Sequence, residues 1–303
     1  MMKKSEFQQK IAVLLPDIKM KFWEPMFKHT SFRIGGPAEI MVFPKNAQQL
    51  SQILEVSGML DKKCAILGAG TNILASDAGV EGVVVCLKDC LDGMEQLDET
   101  HIRVSAGVTM SRAAVFAAML GLGGMEFAHG IPGTVGGGVY MNAGAYNGEM
   151  SQICESVDVM DKDGKITTFT RDEMDFSYRH SRLEETFGIV VSVVLSLEKK
   201  PEEEVRAQMQ DLLKRRKASQ PLDMPSAGSA FKRPVGGYAA ALIDQTGLKG
   251  FRVGDAAVSE KHAGFVVNLG NATAQDVRTL LKRVSDKVYD RTSIRLEPEM
   301  RIW

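Results

Sequence analysis

A glycine-rich loop without charge is the most distinctive stretch of the sequence. Residues 130–148, GIPGTVGGGVYMNAGAYNG, interleave glycine with apolar residues such as Ile131 and Val139. A flexible linker would be rich in serine and charge, so this pattern predicts an ordered loop. Glycine lets backbone approach a flat or anionic ligand at a distance that a Cβ atom forbids. The loop is therefore either a ligand cradle or a tightly packed turn, and composition leaves both open.

A second glycine-rich segment, GAGTN at 68–72, follows the strand-like run CAIL. It does not match the dinucleotide fingerprint, because the third glycine is missing and the residues after it lack a helical pattern. Two interpretations stay open. One is a tight turn between strands, and the other is a cradle of backbone N–H groups for phosphate, to which Thr71 and Asn72 add side-chain hydrogen bonds.

Two serines lie beside two cations in PSAGSAFKRP, residues 225–234. A nucleophilic serine needs a partner base and a G-x-S-x-G turn, and the absence of that turn disfavours a hydrolase. A positioned serine can instead donate a proton with electrostatic help, so Ser226 and Ser229 are candidate acids. Capping a helix or a turn is the commoner use of serine.

Other polar residues have both a chemical and an ordinary interpretation. Arg179 in SYRHS could stabilise a developing oxyanion or lie on the surface. Glu299 is either an acid held in a cleft or a solvated carboxylate paired with Arg301. Lys261 and His262 occur in SEKHAG, where a lone histidine is more often structural than catalytic.

The bulk composition is that of a globular protein. The hydrophobic content is 44% and the charged content 25% over 303 residues. A net charge of −1 gives no basic field for nucleic acid or an anionic membrane. No apolar run reaches the roughly 20 residues of a membrane helix. The N-terminal residues begin with basic residues, but their apolar core is too short for a signal peptide, which predicts an amphipathic helix on a cytoplasmic protein.

The four cysteines do not form a metal-binding pattern. They contain no CxxC pair and have no adjacent histidine cluster, which predicts ordinary buried thiols and no metal site; they are Cys64, Cys86, Cys90 and Cys154.

The order of the predicted elements favours an α+β fold. A helix is predicted over Ala47–Leu60 with Asn46 as its N-cap, and another over 273–290 opened by a Thr273–Asp276 capping box. Asp163-Gly164 predicts a hairpin. AAVSEKHAGFVVNL has the pattern of a strand, and SIRLEPEMRIW alternates strictly, which predicts an extended strand with two carboxylates on one face. Strands and helices alternate without a regular βαβ order, so a doubly wound sheet is disfavoured.

Seven segments in chain order resemble one family. They are HTSFRIGGPAE, LGAGTNIL, GIPGTVGGGVYMNAGAY, SYRHS, PSAGSAFKRP, GLKGFRVGDAAVSEKHAGF and LEPEMRI. Together they are similar to the UDP-N-acetylenolpyruvoylglucosamine reductases, in the shorter form that lacks a tyrosine-bearing loop over the substrate. The resemblance covers about residues 28–302. It implies a two-lobed FAD-binding domain of the vanillyl-alcohol-oxidase type at 1–195, with its lobes split near 85–100, and a smaller α+β substrate-binding domain at 196–303.

The resemblance also implies a binding site for each ligand. The FAD-binding residues it implies are Gly68, Ala69, Gly70, Thr71, Asn72, Ile131, Pro132, Gly133, Thr134, Gly136, Gly137, Asn142, Ala143 and Gly144. The substrate-binding residues it implies are Tyr178, Lys232, Arg233 and Lys261, with Arg216 as a weaker candidate. The partner that the resemblance implies is a small sugar nucleotide, and it implies no nucleic acid, membrane insertion or obligate protein partner.

The family's reaction completes UDP-N-acetylmuramate for peptidoglycan. The resemblance implies that NADPH reduces FAD and that flavin N5 then delivers hydride to C3 of the enolpyruvyl group. Arg179 and Glu299 would stabilise the charge that develops at C2, and Ser229 would protonate C2. Such a serine needs fixed polar neighbours, because an isolated hydroxyl is a poor acid.

Departures from the family pattern are small. His29 stands where asparagine is common, Asp255 where glycine or a small residue is common, and Arg233 where some relatives carry asparagine. One alternative is another FAD-linked oxidase or dehydrogenase on the same fold, with His129 as the candidate for covalent flavin attachment. A second alternative is a non-catalytic nucleotide-binding module.

Overall fold

The computed structural model describes residues 6–88 and 90–303, and the fold is α+β. The helices are α1 (Glu6–Leu14), α2 (Ala47–Met59), α3 (Met110–Met119), α4 (Val135–Tyr140), α5 (Met150–Ile153), α6 (Glu202–Ser219), α7 (Ala239–Gln245) and α8 (Ala274–Thr292). The predicted N-terminal helix is confirmed over Glu6–Leu14, and its first residues lie outside the described part. No helix of the described residues is both long and apolar enough to cross a bilayer.

The strands are short, apart from those of two sheets. They are β1 (Lys19–Pro25), β2 (Pro37–Phe43), β3 (Cys64–Leu67), β4 (Ile73–Leu74), β5 (Val80–Cys86), β6 (Met94–Gln96), β7 (His101–Ser105), β8 (Leu122–Gly123), β9 (Gly144–Ala145), β10 (Gly148–Glu149), β11 (Cys154–Met160), β12 (Ile166–Thr170), β13 (Ile189–Ser196), β14 (Glu198–Lys199), β15 (Ser226–Ser229), β16 (Arg252–Val253), β17 (Ala256–Val258), β18 (Phe265–Asn268) and β19 (Arg301–Ile302).

Local capping sets the starts of the two helices whose caps were predicted. Asn46 Oδ1 accepts the N–H of Gln49 over 2.9 Å at the start of α2. Thr273 and Asp276 form the reciprocal capping box at the start of α8. Both predictions are confirmed. Such caps can be predicted from sequence because they depend on residues three positions apart and not on the rest of the fold.

The chain divides into two compact units. The first contains the described part of Met1–Phe22, then Ile40–Ala69 and Glu81–Lys214. Its two larger sheets have the strand orders β1-β2-β5-β3 and β12-β11-β13-β7-β6, and the ends of β1, β2 and β5 belong to the second unit. One buried cluster surrounds Phe7 and Leu50, and another surrounds Val104 and Val193. The chain passes from the first sheet to the second between Cys86 and Met94.

The second unit combines three separate segments, Trp23–Glu39, Gly70–Val80 and Arg215–Trp303. Its antiparallel sheet has the order β15-β18-β17-β16, and β4 pairs in parallel with β19. Helix α8 buries Val277, Leu281 and neighbouring residues in the core of this unit. Asp77 fixes the segment before β5 to this helix, because its carboxylate accepts the N–H groups of Ala274 and Gln275 over 2.7 and 3.0 Å.

These compact units do not follow the contiguous division at residues 195 and 196. Helix α6 buries Val205 and Met209 in the core of the first unit, so that unit extends to Lys214. Residues 23–39 and 70–80 contribute to the second unit although they lie far from it in sequence. Packing of apolar side chains, which a linear division ignores, produces this arrangement.

Two strand predictions were wrong. AAVSEKHAGFVVNL forms a hairpin of β17 and β18, with residues 259–264 as its turn. In SIRLEPEMRIW only Arg301–Ile302 is a strand, and a single bridge joins Pro298 to Phe231. Pro298 has no N–H and cannot continue a ladder. Ile302 is 43% exposed, although the alternation groups it with the buried Leu296 and Met300.

Candidate active site

Arg179 lies in a tight turn of the first unit. Ser177 and His180 exchange backbone hydrogen bonds of 3.2 and 3.1 Å, which leaves Tyr178 and Arg179 at the tip. Arg179 has a φ of 56°, in the left-handed region that non-glycine residues rarely adopt. Its Nη2 donates to the carbonyl oxygen of Gly144 over 3.0 Å. The predicted catalytic arginine therefore contacts the 130–148 loop.

Two further side chains join this turn to the loop. Asn142 Nδ2 donates to the carbonyl oxygen of Ser177 over 2.9 Å, and Ser181 Oγ donates to that of Tyr140 over 2.7 Å. Both side chains belong to fully buried residues. Hydrogen bonds therefore connect the turn of Tyr178 and Arg179 to the 140–144 stretch, which contains the predicted FAD-binding residues Asn142, Ala143 and Gly144.

The three consecutive glycines of the loop, Gly136, Gly137 and Gly138, differ in how closely they are packed. A Cβ atom on Gly136 would lie 2.8 Å from Ala106 Cβ, and one on Gly138 would lie 2.8 Å from Met110 Sδ. Their N–H groups donate to carbonyl oxygens of Ala106 and Thr134. Gly137 is exposed, and a Cβ there would meet no closer atom than Thr134 Oγ1 at 3.5 Å. Packing thus requires the outer two glycines, and only the middle one leaves open space.

Most of the other predicted cofactor residues of the loop make hydrogen bonds or packing contacts within the first unit. Thr134 caps α4 by accepting the N–H of Gly137 over 3.3 Å. Gly133 accepts the N–H of Met110, and Ala143 donates to Gly138 over 2.7 Å. Ile131 packs against the core, whereas Pro132 is exposed. The loop is ordered, as its apolar anchors predict.

The GAGTN segment begins beside this loop. A Cβ atom on Gly68 would lie 2.8 Å from Thr134 Oγ1, so glycine is required for this approach. Within residues 6–88 and 90–303, the N–H groups of Gly68 and Ala69 donate to no acceptor of the chain. Two successive backbone donors without internal acceptors fit an anionic ligand such as a pyrophosphate. The turn interpretation also holds, since the segment directly follows β3.

In the second unit the rest of GAGTN lies beside the last residues of the chain. Gly70 has a φ of 64°, and a Cβ atom there would lie 2.0 Å from the carbonyl oxygen of His29. Asn72 accepts the N–H of Arg301 over 2.9 Å, and its Nδ2 makes a long hydrogen bond of 3.5 Å to the carbonyl oxygen of Glu299. Thr71 is partly buried next to Asn72.

Ser229 and Glu299 lie on neighbouring segments of the second unit. The N–H of Glu299 donates to the carbonyl oxygen of Ala230 over 3.0 Å. Ser229 ends β15, pairs with Phe265 and is exposed, whereas Glu299 is partly buried. The structure thus brings two of the three predicted catalytic residues together. Arg179 belongs to the first unit.

The predicted substrate-binding cations have protein partners. Lys232 Nζ lies 2.7 Å from Glu297 Oε1, and the Arg233 guanidinium lies 4.5 Å from the ring centre of Tyr238. Lys261 Nζ donates to the carbonyl oxygen of Lys217 over 2.6 Å. In the first unit, the Arg179 guanidinium lies 5.1 Å from the ring centre of the exposed Tyr178. Arg216, the weaker candidate, donates to Gln220 over 2.9 Å.

Sequence reasoning missed Ser31. Its N–H donates to the carbonyl oxygen of Gly70 over 3.0 Å, and its Oγ donates to that of Ser226 over 2.6 Å. Ser31 therefore ties a predicted cofactor segment to the strand that carries Ser229. The signal that could have indicated it is its place in HTSFRIGGPAE, one of the seven segments that resemble the family.

Two histidines, one in each unit, have a lowered pKa. Burial lowers the pKa of His129, whose Nδ1 lies 3.3 Å from Ser111 Oγ. Burial also lowers the pKa of His262, with Lys249 adding a smaller effect, while a backbone hydrogen bond opposes the shift. His262 Nδ1 accepts the N–H of Gly264 over 3.2 Å, and Gly264 in turn accepts the N–H of Ala230.

Comparison with known proteins covers nearly the whole chain. Residues 220–303 match the family described as UDP-N-acetylenolpyruvoylglucosamine reductase, C-terminal domain, and residues 38–170 match an FAD binding domain. The UDP-N-acetylenolpyruvoylglucosamine reductase of Caldanaerobacter subterraneus subsp. tengcongensis is 44% identical over 293 residues, 97% of this chain and 96% of that protein. The one from Syntrophomonas wolfei is 43% identical over 288 residues, 95% and 96% of the two chains. The chain belongs to the UDP-N-acetylenolpyruvoylglucosamine reductase family.

Solved structures agree with this family. The reductase of Thermus caldophilus has a TM-score of 0.77 and 36% identity, covering 94% of this chain and 98% of its own. Alkyldihydroxyacetonephosphate synthase has a TM-score of 0.50 and 15% identity, covering 65% of this chain and 41% of its own. That second likeness shows only the shared fold, which is the predicted vanillyl-alcohol-oxidase type.

Membership of the reductase family makes the chain an oxidoreductase, a UDP-N-acetylmuramate dehydrogenase. Its cofactor is FAD, in agreement with the FAD binding domain at 38–170. The donors at Gly68 and Ala69 and the open face of Gly137 fit such a group, since they offer backbone amides and space without a competing side chain.

Proposed function

We propose that this reductase converts UDP-N-acetylglucosamine enolpyruvate to UDP-N-acetylmuramate with NADPH, in the cytoplasm, as a step of peptidoglycan synthesis. The observation that carries the proposal is the hydrogen bond of 3.0 Å from Glu299 to Ala230, next to Ser229. It holds a hydroxyl-bearing and a carboxyl-bearing residue on neighbouring segments, as a reaction that needs a proton donor and charge stabilisation requires.

The cofactor site uses backbone more than side chains. When bound here and reduced by NADPH, FAD would supply the hydride for C3 of the enolpyruvyl group. We assign the pyrophosphate to the N–H groups of Gly68 and Ala69, with Thr71 and Asn72 beside them, and the flavin to the wall formed by 131–144. The support is that the N–H groups of Gly68 and Ala69 donate to no acceptor among residues 6–88 and 90–303.

The substrate chemistry falls to three side chains. Ser229 donates a proton to C2, while Arg179 and Glu299 stabilise the charge that spreads from C2 into the carboxylate. The turn of Arg179, with its three hydrogen bonds to the 140–144 stretch, supports a fixed guanidinium. A fixed donor is worth more to a transition state than a mobile one, because it needs no reorganisation during the reaction.

Four further side chains would bind the sugar nucleotide. We assign its anionic groups to Lys232, Arg233 and Lys261, and one face of it to Tyr178. Lys232 is the best supported, since its N–H donates to Glu297 over 2.8 Å on the segment that leads to Glu299. Cations of this kind recognise diphosphate and carboxylate through charge-assisted hydrogen bonds.

The test is NADPH oxidation by the purified flavoprotein, with and without the enolpyruvyl sugar nucleotide. We expect rapid consumption only in its presence, with one UDP-N-acetylmuramate formed per NADPH. NADPH consumption at the same rate with and without the sugar nucleotide would contradict the proposal. A purified protein without flavin absorbance would contradict it as well. Acid precipitation gives a second check: flavin that stays in the pellet would support covalent attachment and the oxidase alternative.

A further inference from the structure

The turn that carries Arg179 adopts a conformation that its own sequence does not favour. Arg179 is an arginine with a φ of 56°, and such a residue stays in the left-handed region only where its surroundings fix it. The two backbone bonds between Ser177 and His180 close the turn, but they do not fix its place against the rest of the unit.

Asn142 supplies one of the fixing contacts. Its Nδ2 donates to the carbonyl oxygen of Ser177, immediately before the tip, and its Oδ1 accepts the N–H of Ser151 over 2.9 Å. The residue is 0% exposed and has a φ of 42°, which asparagine tolerates better than most residues. Both ends of its amide are thus committed to backbone groups of the chain.

Ser181 supplies the matching contact on the other side of the tip. Its Oγ donates to the carbonyl oxygen of Tyr140 over 2.7 Å, and it is also 0% exposed. The two bonds flank Tyr178 and Arg179, and both lead to the stretch 140–142. The Arg179 guanidinium itself contacts Gly144, two residues further on.

We propose that Asn142 and Ser181 are positioning residues that hold the Tyr178–Arg179 turn in place for catalysis, so that the guanidinium meets the developing charge of the substrate. This rests on the function proposed for Arg179. The resemblance implied only that Asn142 binds FAD, and it assigned nothing to Ser181. The geometry gives both side chains a shared role through the arginine.

Two variants remove one bond each with little change in shape. Asn142→Asp keeps the acceptor for Ser151 and tolerance of the left-handed region, but replaces the Nδ2 donor by an oxygen. Ser181→Ala removes only the hydroxyl. The matched control is Ser57→Ala, because Ser57 is 1% exposed in the same unit and its Oγ also donates to a carbonyl oxygen, that of Ile53, over 2.7 Å.

The first readout is the rate at which trypsin cleaves the turn, and it does not depend on enzyme activity. Trypsin cleaves after Arg179 only when the turn opens, so the cleavage rate under native conditions follows the population of the open form. We expect cleavage after Arg179 to accelerate about five- to tenfold in Ser181→Ala, the effect of losing one buried hydrogen bond. In Asn142→Asp we expect at least the same acceleration, because the new oxygen faces the carbonyl oxygen of Ser177. Ser57→Ala should leave it unchanged. Equal rates in all three variants overturn the proposal.

The second readout is a double-mutant cycle on substrate reduction per bound flavin. Ser181→Ala should lower kcat and kcat/KM together by about tenfold, as expected for a contact used in the transition state. In combination with Arg179→Ala it should cause no further loss, because the two act as one unit. If the losses of activity from Ser181→Ala and Arg179→Ala multiply in the double variant, the positioning role is overturned, but the function proposed for Arg179 is not. A fully active Arg179→Ala overturns it together with the function proposed for Arg179.

Discussion

The backbone N–H of Glu299 donates to the carbonyl oxygen of Ala230 over 3.0 Å. Glu299 is therefore held against the residue that follows Ser229, although the two segments lie far apart in sequence. Because the backbones of these two residues are held together, a carboxylate and a hydroxyl can act on one reacting group without the entropic cost of bringing them together during the reaction.

Ser229→Ala should separate the two halves of the catalytic cycle. NADPH should still bleach the flavin, whereas reduction of the enolpyruvyl substrate should fall about 10²- to 10⁴-fold, because only the proton donor is lost. Stopped-flow absorbance of the flavin follows both steps. The matched control is Ser226→Ala on the same strand, which should stay within about threefold of wild type. Normal turnover of Ser229→Ala would show that this serine is not the acid.

Glu299→Gln should slow substrate reduction by at least about 10²-fold with KM nearly unchanged, because it removes charge while keeping the shape and the backbone bond to Ala230. Steady-state kinetics with the sugar nucleotide measures this. Glu297→Gln is the control two positions away, and since Glu297 pairs with Lys232 it should act mainly on KM. If Glu299→Gln keeps the wild-type kcat, its carboxylate is structural.

Gly70→Ala should destabilise the second unit more than its positive φ alone explains. The new Cβ would lie 2.0 Å from the His29 carbonyl oxygen, so we expect a loss of about 2–5 kcal/mol. Gly247→Ala is the control, because Gly247 has a φ of 74° and no atom within 4 Å of its Cβ position. That variant should cost only about 1–2 kcal/mol. Urea unfolding at saturating FAD compares them, and equal losses would contradict the expected clash.

His262 should make stability depend on pH. Burial lowers its pKa in the folded state below the ordinary value of 6.5, so the folded form binds fewer protons there than the unfolded form. Its contribution is therefore complete above pH 6.5 and is lost as the pH falls through the lower, folded-state pKa. Thermal midpoints measured from about pH 8 to pH 5 should fall less steeply in His262→Gln than in wild type. Parallel curves would show that this histidine does not contribute.

Local signals in the sequence predicted much of the fold. Asn46 and Thr273 act on residues three positions away, so their helices could be located without knowledge of the whole. The glycines of the 130–148 loop predicted an ordered loop, yet composition could not tell which of them face the protein. Only the packing of Ala106 and Met110 separates Gly136 and Gly138 from the open Gly137.

Contacts between distant residues could not be predicted. Asn142 and Ser177 lie 35 positions apart, and Ser31 and Ser226 lie 195 apart. Neither pair has a spacing that a helix or a strand would bring together. The resemblance predicted which side chains react, but it said nothing of the side chains that hold them. Pro298 shows the opposite failure, because strict alternation predicted a strand that its missing N–H interrupts.

The pairing of β4 with β19 has a consequence for synthesis of the protein. Ile73–Leu74 leaves the ribosome early, but its partner, Arg301–Ile302, is 228 positions later in the chain. Residues 23–39 and 70–80 can contact each other early, but they must remain without their native partners in 215–303 while residues 81–214 are still being translated. Such non-local pairing slows folding, so the second unit should mature after translation, when the first unit has already had time to form.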